Sequence, residues 1–331
     1  MLVGFAGEGR TMDYTKIIKE VGRGKNHARS LDREQSLALY RLMLAGEVPD
    51  LQLGGLLIAF RIKGEDEQEM LGFYQAMEEQ TLRLQAPNDR PMPVVIPSYN
   101  GARKQANLTP LLAILLHRLG LPVVVHGVTS DPGRVTSFEI FQALGIAAAN
   151  SGEEAQAMLD SGRGPVFIPV SLLCPPIDKQ LQLRWQMGVR NSSHTLAKLA
   201  TPFVEQTALR LASVSHPEYI QRVSSFFHDV SGRALLSQGT EGEIYANPLR
   251  SAPVHLIGVG EQRILLERQE FSAQNLPSAK DAQTTADWIN DCLQAKVAVP
   301  QAILNQLACC LVATDQAESM TDAQTRVEQL F

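Results

Sequence analysis

The sequence predicts an α/β protein in which a small helical domain precedes a larger domain whose mostly parallel sheet has helices on both sides. Two observations support this fold class. Residues 12–86 show only helical patterns, whereas strand and helix patterns alternate after Pro87. Two unbroken apolar runs, 94–96 and 123–125, are typical of strands buried on both faces of a parallel sheet.

The helical domain is expected to span residues 12–86 and to be joined by part of 176–200. Its second helix shows clear boundaries, because Asp32 is a good N-cap and Gly46 a good helix stop. Residues 1–11 are interpreted as a leader or an added remnant, with Met12 as the natural start. Helices are predicted at 13–21, 33–45, 51–62 and 67–84.

The larger domain is expected to span residues 87–331 and to end in an acidic helical part at 270–331. Thr109 and Pro110 open a helix in this domain that Gly120 ends. Further helices are predicted at 138–144, 153–159, 179–187, 220–227, 281–295 and 300–314. Strands are predicted at 94–96, 123–125, 165–170, 208–214, 234–236 and 254–257.

Composition excludes several classes of protein. The 331 residues are 44% apolar, enough for one large core or two. No apolar run approaches the roughly 20 residues of a membrane span. The four cysteines, Cys174, Cys292, Cys309 and Cys310, show no metal-ligand spacing, so we expect buried reduced thiols. We therefore predict a cytoplasmic protein with no membrane partner, no metal site and no cofactor.

The net charge of −5 is unevenly distributed along the chain. Residues 270–331 carry eight acidic and three basic residues, and so account for all of it. Residues 16–33 instead hold six Lys and Arg side chains, among them Arg23, Lys25 and Arg29, against two acidic ones. Such a basic cluster is either a solvated helix face or a surface for phosphate groups, and the cluster alone does not decide between them.

The most informative segment is a strand–loop–helix–strand unit at 93–127. A loop that leaves a buried strand and feeds a helix N-terminus is where α/β proteins usually bind phosphate. Here the loop contains one glycine, Gly101, together with Tyr99 and the adjacent cations Arg103 and Lys104. It therefore has the position of a phosphate loop without the glycine-rich composition.

Three stretches resemble the anthranilate phosphoribosyltransferase family. Its third and fourth helices are similar to the stretch LQLGGLLIAFRIKGEDEQEMLGFYQAM. Its KHG strand end is similar to VVVHG. Its segment RRxLGxRTxxNxLGPLxNP is similar to LRWQMGVRNSSHTLAKLATPF. The resemblance covers roughly residues 12–250. It implies the type III phosphoribosyltransferase fold of glycosyltransferase family 3, with a homodimer joined through the helical domains. It also implies a cleft lined by Asn107, Thr109, His126, Gly127, Arg184 and Arg190.

The segments that would bind diphosphate and Mg²⁺ depart from the family pattern. The family loop G-T-G-G-D is replaced by PSYNG, which lacks the glycines that let backbone N–H groups approach phosphate, and Pro97 has no N–H. The acidic pair that would hold Mg²⁺ is replaced by Ile244 and Tyr245, with Glu241 and Glu243 nearby. We therefore expect no phosphoribosyl transfer, and we assign no catalytic residue.

A YbiB-like subset of this family departs in the same way, and GRGKNHAR, PSYNGARKQANLTP, GVRNSSHTLAKLATP and GTEGEIYANP fit it closely. This resemblance implies a homodimer that binds DNA or RNA with low sequence preference, with Tyr99 available for stacking. The residues expected to bind nucleic acid are Arg23, Lys25, Arg29, Tyr99, Arg103, Lys104, Arg184, Arg190 and Lys198. The degenerate phosphate loop and cleft comprise Ser98, Asn100, Gly101, Asn107, Thr109, His126 and Gly127.

Two alternatives stay open at this point: a transferase of this fold with an altered substrate, and a regulatory dimer that binds a metabolite. The dimer is expected to form through the first and the third or fourth helices, because these carry more apolar side chains than one small domain can bury. These side chains are Leu53, Leu56, Leu57, Phe60, Leu71, Tyr74 and Met77.

Overall fold

The computed structural model describes residues 12–24, 26–272 and 275–331. They divide into a helical unit, with residues up to 80 and 176–196, and a sheet unit, with 81–175 and 197–331. The helical unit ends before the predicted boundary at 86, because Leu82 N donates to Leu173 O at 2.7 Å and Leu84 N to Pro202 O at 2.8 Å, both within the sheet unit. The interpretation of residues 1–11 lies outside the described residues.

The elements follow the predicted alternation. The described helices are α1 (Tyr14–Val21), α2 (Arg33–Ala45), α3 (Asp50–Lys63), α4 (Glu67–Glu78), α5 (Thr109–Arg118), α6 (Ser137–Ala143), α7 (Gly152–Ser161), α8 (Val170–Leu173), α9 (Pro175–Met187), α10 (Ser193–Leu199), α11 (Tyr219–Asp229), α12 (Ala282–Leu293), α13 (Gln301–Ala313) and α14 (Met320–Leu330). The described strands are β1 (Val94–Ser98), β2 (Val123–Gly127), β3 (Val166–Pro169), β4 (Leu209–Val214), β5 (Arg233–Gln238), β6 (Arg250–Ser251), β7 (Val254–Gly258), β8 (Glu261–Leu266) and β9 (Gln269–Glu270).

The helical unit is held by reciprocal caps and an aromatic core. The Asp32 carboxylate accepts from Gln35 N at 2.8 Å while the Gln35 side chain accepts from Asp32 N at 3.3 Å, which is the capping box that starts α2. The ring centroids of Tyr40 and Phe73 are 4.5 Å apart in a stacked pair. Tyr40 OH also donates to Gln180 Oε1 at 2.9 Å, which fixes α9 to this unit.

The side chains from which we predicted a dimer are mostly not at the surface. Six of them are buried inside the chain by α2, α4 and their neighbours, and only Leu53 is half-buried. The inference of surplus apolar surface from these residues is therefore wrong, because packing within the helical unit already covers them. The six buried side chains are Leu56, Leu57, Phe60, Leu71, Tyr74 and Met77.

The predicted fold class is confirmed. The main sheet of the described residues has the strand order β3-β2-β1-β4-β5-β7-β8. Strands β1 to β5 pair in parallel, whereas β7 pairs antiparallel with β5 and β8 antiparallel with β7. The carboxyl ends of β1, β2, β4 and β5 therefore meet at one edge of the sheet, which is where open α/β sheets bind ligands.

The core of the sheet unit includes α5 and α13 packed with the apolar strands. All four cysteines are free and buried, as expected, and burial raises the pKa of the Cys309 thiol to about 12. Among the described residues, no helix is both long and apolar enough to cross a membrane.

Candidate functional site

The candidate site lies where β1 ends and the chain enters α5. We call residues 99–108 the β1–α5 loop. A second segment, Thr240–Glu243, follows β5 and lies against this loop; we call it the glutamate turn. Both segments belong to the sheet unit.

The glutamate turn has an unusual backbone. Thr240 N donates to Glu243 O at 3.0 Å and Glu243 N to Thr240 O at 2.9 Å, with positive φ angles of 52° at Glu241 and 88° at Gly242. Two positive φ angles in a row define a type I′ turn. A Cβ at Gly242 would lie 1.9 Å from Asn100 Nδ2, so only glycine fits this close approach.

The conformation of Glu241 is costly for a residue with a side chain, and such strain persists only where the surroundings enforce it. Here Lys198 Nζ donates to Gly242 O at 3.1 Å and so holds the turn from one side. On the other side, the carboxylates of Glu241 and Glu243 hold the turn against the β1–α5 loop.

The Glu243 carboxylate fills the position that a phosphate loop offers to an anion. Its Oε1 accepts from the backbone N–H groups of Asn100 at 2.9 Å and Gly101 at 2.7 Å. Its Oε2 accepts from Ser98 Oγ at 2.7 Å and Thr109 Oγ1 at 3.1 Å. The residue is completely buried. Four donors, two of them at the start of the loop and one at the first residue of α5, thus converge on a carboxylate of the chain itself.

Glu241 fills a second group of backbone donors. Its carboxylate accepts from Arg103 N at 3.1 Å, Lys104 N at 2.8 Å and Gln105 N at 3.2 Å. Consecutive N–H groups of this kind form a nest that binds anions. Arg134 Nη1 lies 3.9 Å from the same carboxylate, so the negative charge is also paired.

The structure brings together the residues predicted for the degenerate loop. Ser98, Asn100, Gly101 and Thr109 surround Glu243 as described above. Asn107 is buried behind them, where its Nδ2 donates to Ser137 Oγ at 3.0 Å and its Oδ1 accepts from Thr109 N at 3.1 Å.

Tyr99 is not a stacking residue, contrary to our prediction. Its ring is buried, and its hydroxyl lies 2.7 Å from His126 Nδ1 at the end of β2. Burial lowers the pKa of His126 to about 3, so the imidazole is neutral at physiological pH. Gly127 follows, and a Cβ there would lie 1.8 Å from Ser98 O, so glycine is required where β2 passes β1.

The outer side of the β1–α5 loop has the opposite character. The side chains of Arg103 and Lys104 are exposed, while their N–H groups point inward to Glu241. Lys280 Nζ donates to Arg103 O at 2.6 Å and adds a third exposed cation beside the loop. Sequence reasoning missed Lys280 because it lies in the acidic C-terminal part, far along the chain.

Of the other predicted cations, Lys198 belongs to the sheet unit, where its ammonium group donates to Gly242 O, whereas Arg23, Arg29, Arg184 and Arg190 belong to the helical unit. Arg23 Nη2 lies 2.6 Å from Glu20 Oε1, and Arg29 Nε lies 3.5 Å from Glu20 Oε2. Arg190 O accepts a hydrogen bond from Arg61 at 2.9 Å. Lys25 lies outside the described residues.

Arg184 reveals an aromatic residue that sequence reasoning missed. Its guanidinium carbon lies 4.3 Å from the ring centroid of Trp185, a cation–π distance. Trp185 is 50% exposed on α9. Its direct neighbours in the chain, Arg184 and Gln186, are polar, and this was the signal for exposure that the sequence offered.

Comparisons with known proteins show the family and the fold of this chain. A family model described as the glycosyl transferase family, helical bundle domain, matches residues 15–81. The "Uncharacterized protein YbiB" of Escherichia coli (strain K12) is 61% identical over 321 residues, which is 97% of this chain and 100% of that protein. The chain belongs to the YbiB family. Its carboxylate-filled loop is therefore a feature of a YbiB-family member.

More distant relatives are enzymes. An anthranilate phosphoribosyltransferase of Desulfitobacterium hafniense (strain Y51) is 26% identical over 255 residues, covering 76% of this chain and 74% of the enzyme. The crystal structure of the enzyme from Thermus thermophilus superposes with a TM-score of 0.75 at 20% identity, covering 96% of this chain and 94% of that one. The Saccharomyces cerevisiae enzyme in complex with PRPP and Mg has a TM-score of 0.72 at 13% identity, covering 96% and 93%. These structures establish the shared fold.

The residues of this chain do not fit the diphosphate and Mg²⁺ that the resemblance implies. The donors a diphosphate would need already bond Glu243 and Glu241. Ile244 and Tyr245, at the positions of the acidic pair, are buried, and Tyr245 OH donates to Ala106 O at 3.0 Å. No group of three or more His, Cys, Asp or Glu within the described ranges is placed to hold a metal ion.

Proposed function

We propose that this YbiB-family protein binds nucleic acid with low sequence preference, as a homodimer, on a phosphoribosyltransferase scaffold that does not carry out phosphoribosyl transfer. One observation carries the proposal. The β1–α5 loop directs its backbone donors inward to two carboxylates of the chain, and directs the side chains of Arg103 and Lys104 outward to solvent.

Exposed Lys and Arg side chains bind nucleic acid through its phosphates, releasing counterions and carrying no sequence information. The Glu241 nest supports this use, because it fixes the backbone of the very residues whose side chains would contact phosphate. Lys280, bonded to Arg103 O, adds to the same patch. The cations of the helical unit, Arg23, Arg29, Arg184 and Arg190, belong to the proposal as further contacts, and Trp185 replaces Tyr99 as the candidate for stacking.

The homodimer is proposed from a different set of side chains than the sequence indicated. Leu51 and Ile62 of α3 are 88% and 61% exposed, and Ile58, between them in the sequence, is 36% exposed. Their spacing places them along one side of the helix, and a second copy of the chain would cover them. Sedimentation should show a dimer for the wild type and a monomer for Ile62→Glu, whereas Ile264→Glu, an exposed isoleucine on β8, should stay dimeric.

The transferase alternative has no specific observation in its favour, because Glu243 bonds the donors that a diphosphate would need. The regulatory-dimer alternative predicts affinity for a small metabolite and no affinity for a DNA or RNA strand. One titration distinguishes a nucleic-acid-binding protein from a metabolite-binding regulatory dimer. In it, single- and double-stranded oligonucleotides are added to the protein over a series of salt concentrations.

The expected result is binding that weakens steeply with salt. Each neutralised phosphate contributes about −0.7 to the slope of log affinity against log salt for single strands, so four to six contacts give roughly −3 to −4. Arg103→Glu with Lys104→Glu should weaken all sequences alike. The same charge reversal at Lys16 and Lys19 on α1 is the control and should do less. Absence of any affinity at low salt would overturn the proposal.

A further inference from the structure

A cavity of about 390 Å³ lies in the sheet unit beside the β1–α5 loop. One wall is the loop itself, with Lys104 and Leu108. The other walls come from Pro248 and from the segment 275–280, with Leu276, Pro277 and Lys280. The volume is within the range of sites for small organic groups, which is about 300–1,000 Å³.

Two hydrogen bonds fix the outer wall. Lys280 Nζ donates to Arg103 O at 2.6 Å and joins the wall to the loop. Trp288 Nε1 of α12 donates to Asn275 O at 2.7 Å and anchors the start of the segment. The cavity is therefore built by contacts between elements far apart in sequence.

The chemistry of the lining selects a class of ligand. Leucine and proline side chains form apolar walls, Gln105 and Ser278 offer hydrogen-bonding groups, and the described residues that line the cavity include no Asp or Glu. The ammonium groups of Lys104 and Lys280 add positive charge. A flat ring with polar edges and an adjacent phosphate matches this combination.

We propose that this cavity takes the base of a nucleotide whose phosphate lies on Lys104. The inference rests on the proposed function and deepens it, because it adds a site for bases to a surface for phosphates. The cavity also gives the sheet unit an apolar contact for a base, which Tyr99 cannot make because its ring is buried. Apolar contact with a base tolerates every sequence, since each base has the same kind of face. A single strand is the expected ligand, because a duplex keeps its bases stacked.

The test compares an oligothymidylate with an abasic strand of the same length and the same number of phosphates. The wild type should bind the strand with bases about tenfold more tightly, because the apolar face of a base is removed from water against the leucine and proline side chains. Ala279 lines the cavity and is exposed, so Ala279→Trp should fill the space. In this variant the ratio of the two affinities should fall, and it should reach about one when Trp185→Ala is added, with affinity and salt slope for the abasic strand unchanged by Ala279→Trp.

Ala147→Trp is the matched control, because Ala147 is an exposed alanine of the same unit that does not line the cavity, and it should keep the wild-type ratio. Ser278→Trp repeats the test from a neighbouring position if Ala279→Trp does not fold. A ratio of one in the wild type, or a ratio that filling of the cavity leaves unchanged, overturns this inference alone. Failure of the wild type to bind either strand overturns the proposed function, and this inference with it.

Discussion

The inner and outer faces of the β1–α5 loop treat negative charge in opposite ways. On the inner face, two backbone N–H groups and two hydroxyls bond the buried Glu243 carboxylate at 2.7–3.1 Å. On the outer face, the side chains of Arg103 and Lys104 are open to solvent. One loop therefore has, on its inner face, an anion site filled by a carboxylate of the chain and, on its outer face, a cationic surface exposed to solvent.

An anion cradle needs fewer glycines when its anion belongs to the same chain. A free diphosphate requires close approach of many backbone groups, for which glycine is suited. A glutamate on a neighbouring turn needs only the few donors that its two oxygens can accept. The inner face then becomes part of the core, and contact with a ligand moves to the outer face.

Removing the buried carboxylate should have the largest effect. Glu243→Ala leaves four buried donors without their acceptor, and we expect the free energy of unfolding to fall by about 3 kcal/mol. Urea unfolding measures this change. Glu318→Ala, at an exposed glutamate of the same unit, is the control and should change stability by less than about 0.5 kcal/mol. Equal stability of the two variants would mean that Glu243 does not hold the inner face together.

Acid should destabilise the protein through His126, beside the inner face. Its pKa is held at about 3 by burial, whereas an exposed histidine has a pKa of about 6.5. Between these values the unfolded chain binds a proton that the folded chain does not, so stability is lost as the pH falls below about 6.5.

The loss should reach about 2 kcal/mol by about pH 5. Urea unfolding near pH 7 and near pH 5 should show it in the wild type, whereas His126→Gln should lose this part of the pH dependence. The same loss in both proteins would assign it to other groups.

Glu241 lies between the two faces of the loop, so its removal should make the inner and outer faces more alike in their affinity for anions. Glu241→Ala leaves the N–H groups of residues 103–105 without their carboxylate and removes a negative charge behind the cationic surface. We expect the gain in positive potential to outweigh the loss of backbone support, so oligonucleotide affinity should rise, up to about tenfold, with one further phosphate contact and a salt slope steeper by about 0.7. Glu241→Gln, which removes the charge but keeps an acceptor, should give a smaller rise. Weaker binding by Glu241→Ala would show that the nest serves only to position the cations.

Sequence patterns predicted the local features of the fold well. The boundaries at Asp32 and Gly46, the strands at β1 and β2, and the position of the loop all follow from short-range signals. Strand β8 was missed, because its side chains are half-buried or exposed and lack an alternating apolar pattern.

The interior of the site could not be predicted in the same way. Glu243 reaches Ser98 across 145 positions of the chain, and no local pattern encodes such a contact. Tyr99 looked available because a tyrosine in a polar loop is often exposed, yet its partner His126 lies on the neighbouring strand. The apolar residues of α3 and α4 posed the same problem, since the packing of helices decides which of them are covered.

In this chain, carboxylates of the glutamate turn fill the place that a diphosphate would take. Calorimetric titration of the protein with phosphoribosyl diphosphate in excess Mg²⁺ tests whether that place is closed to the diphosphate. We expect no saturable, Mg²⁺-dependent heat, and no transfer to anthranilate in the same mixture. Saturable binding that requires Mg²⁺ would contradict it, because Glu243 and the diphosphate cannot use the same four donors.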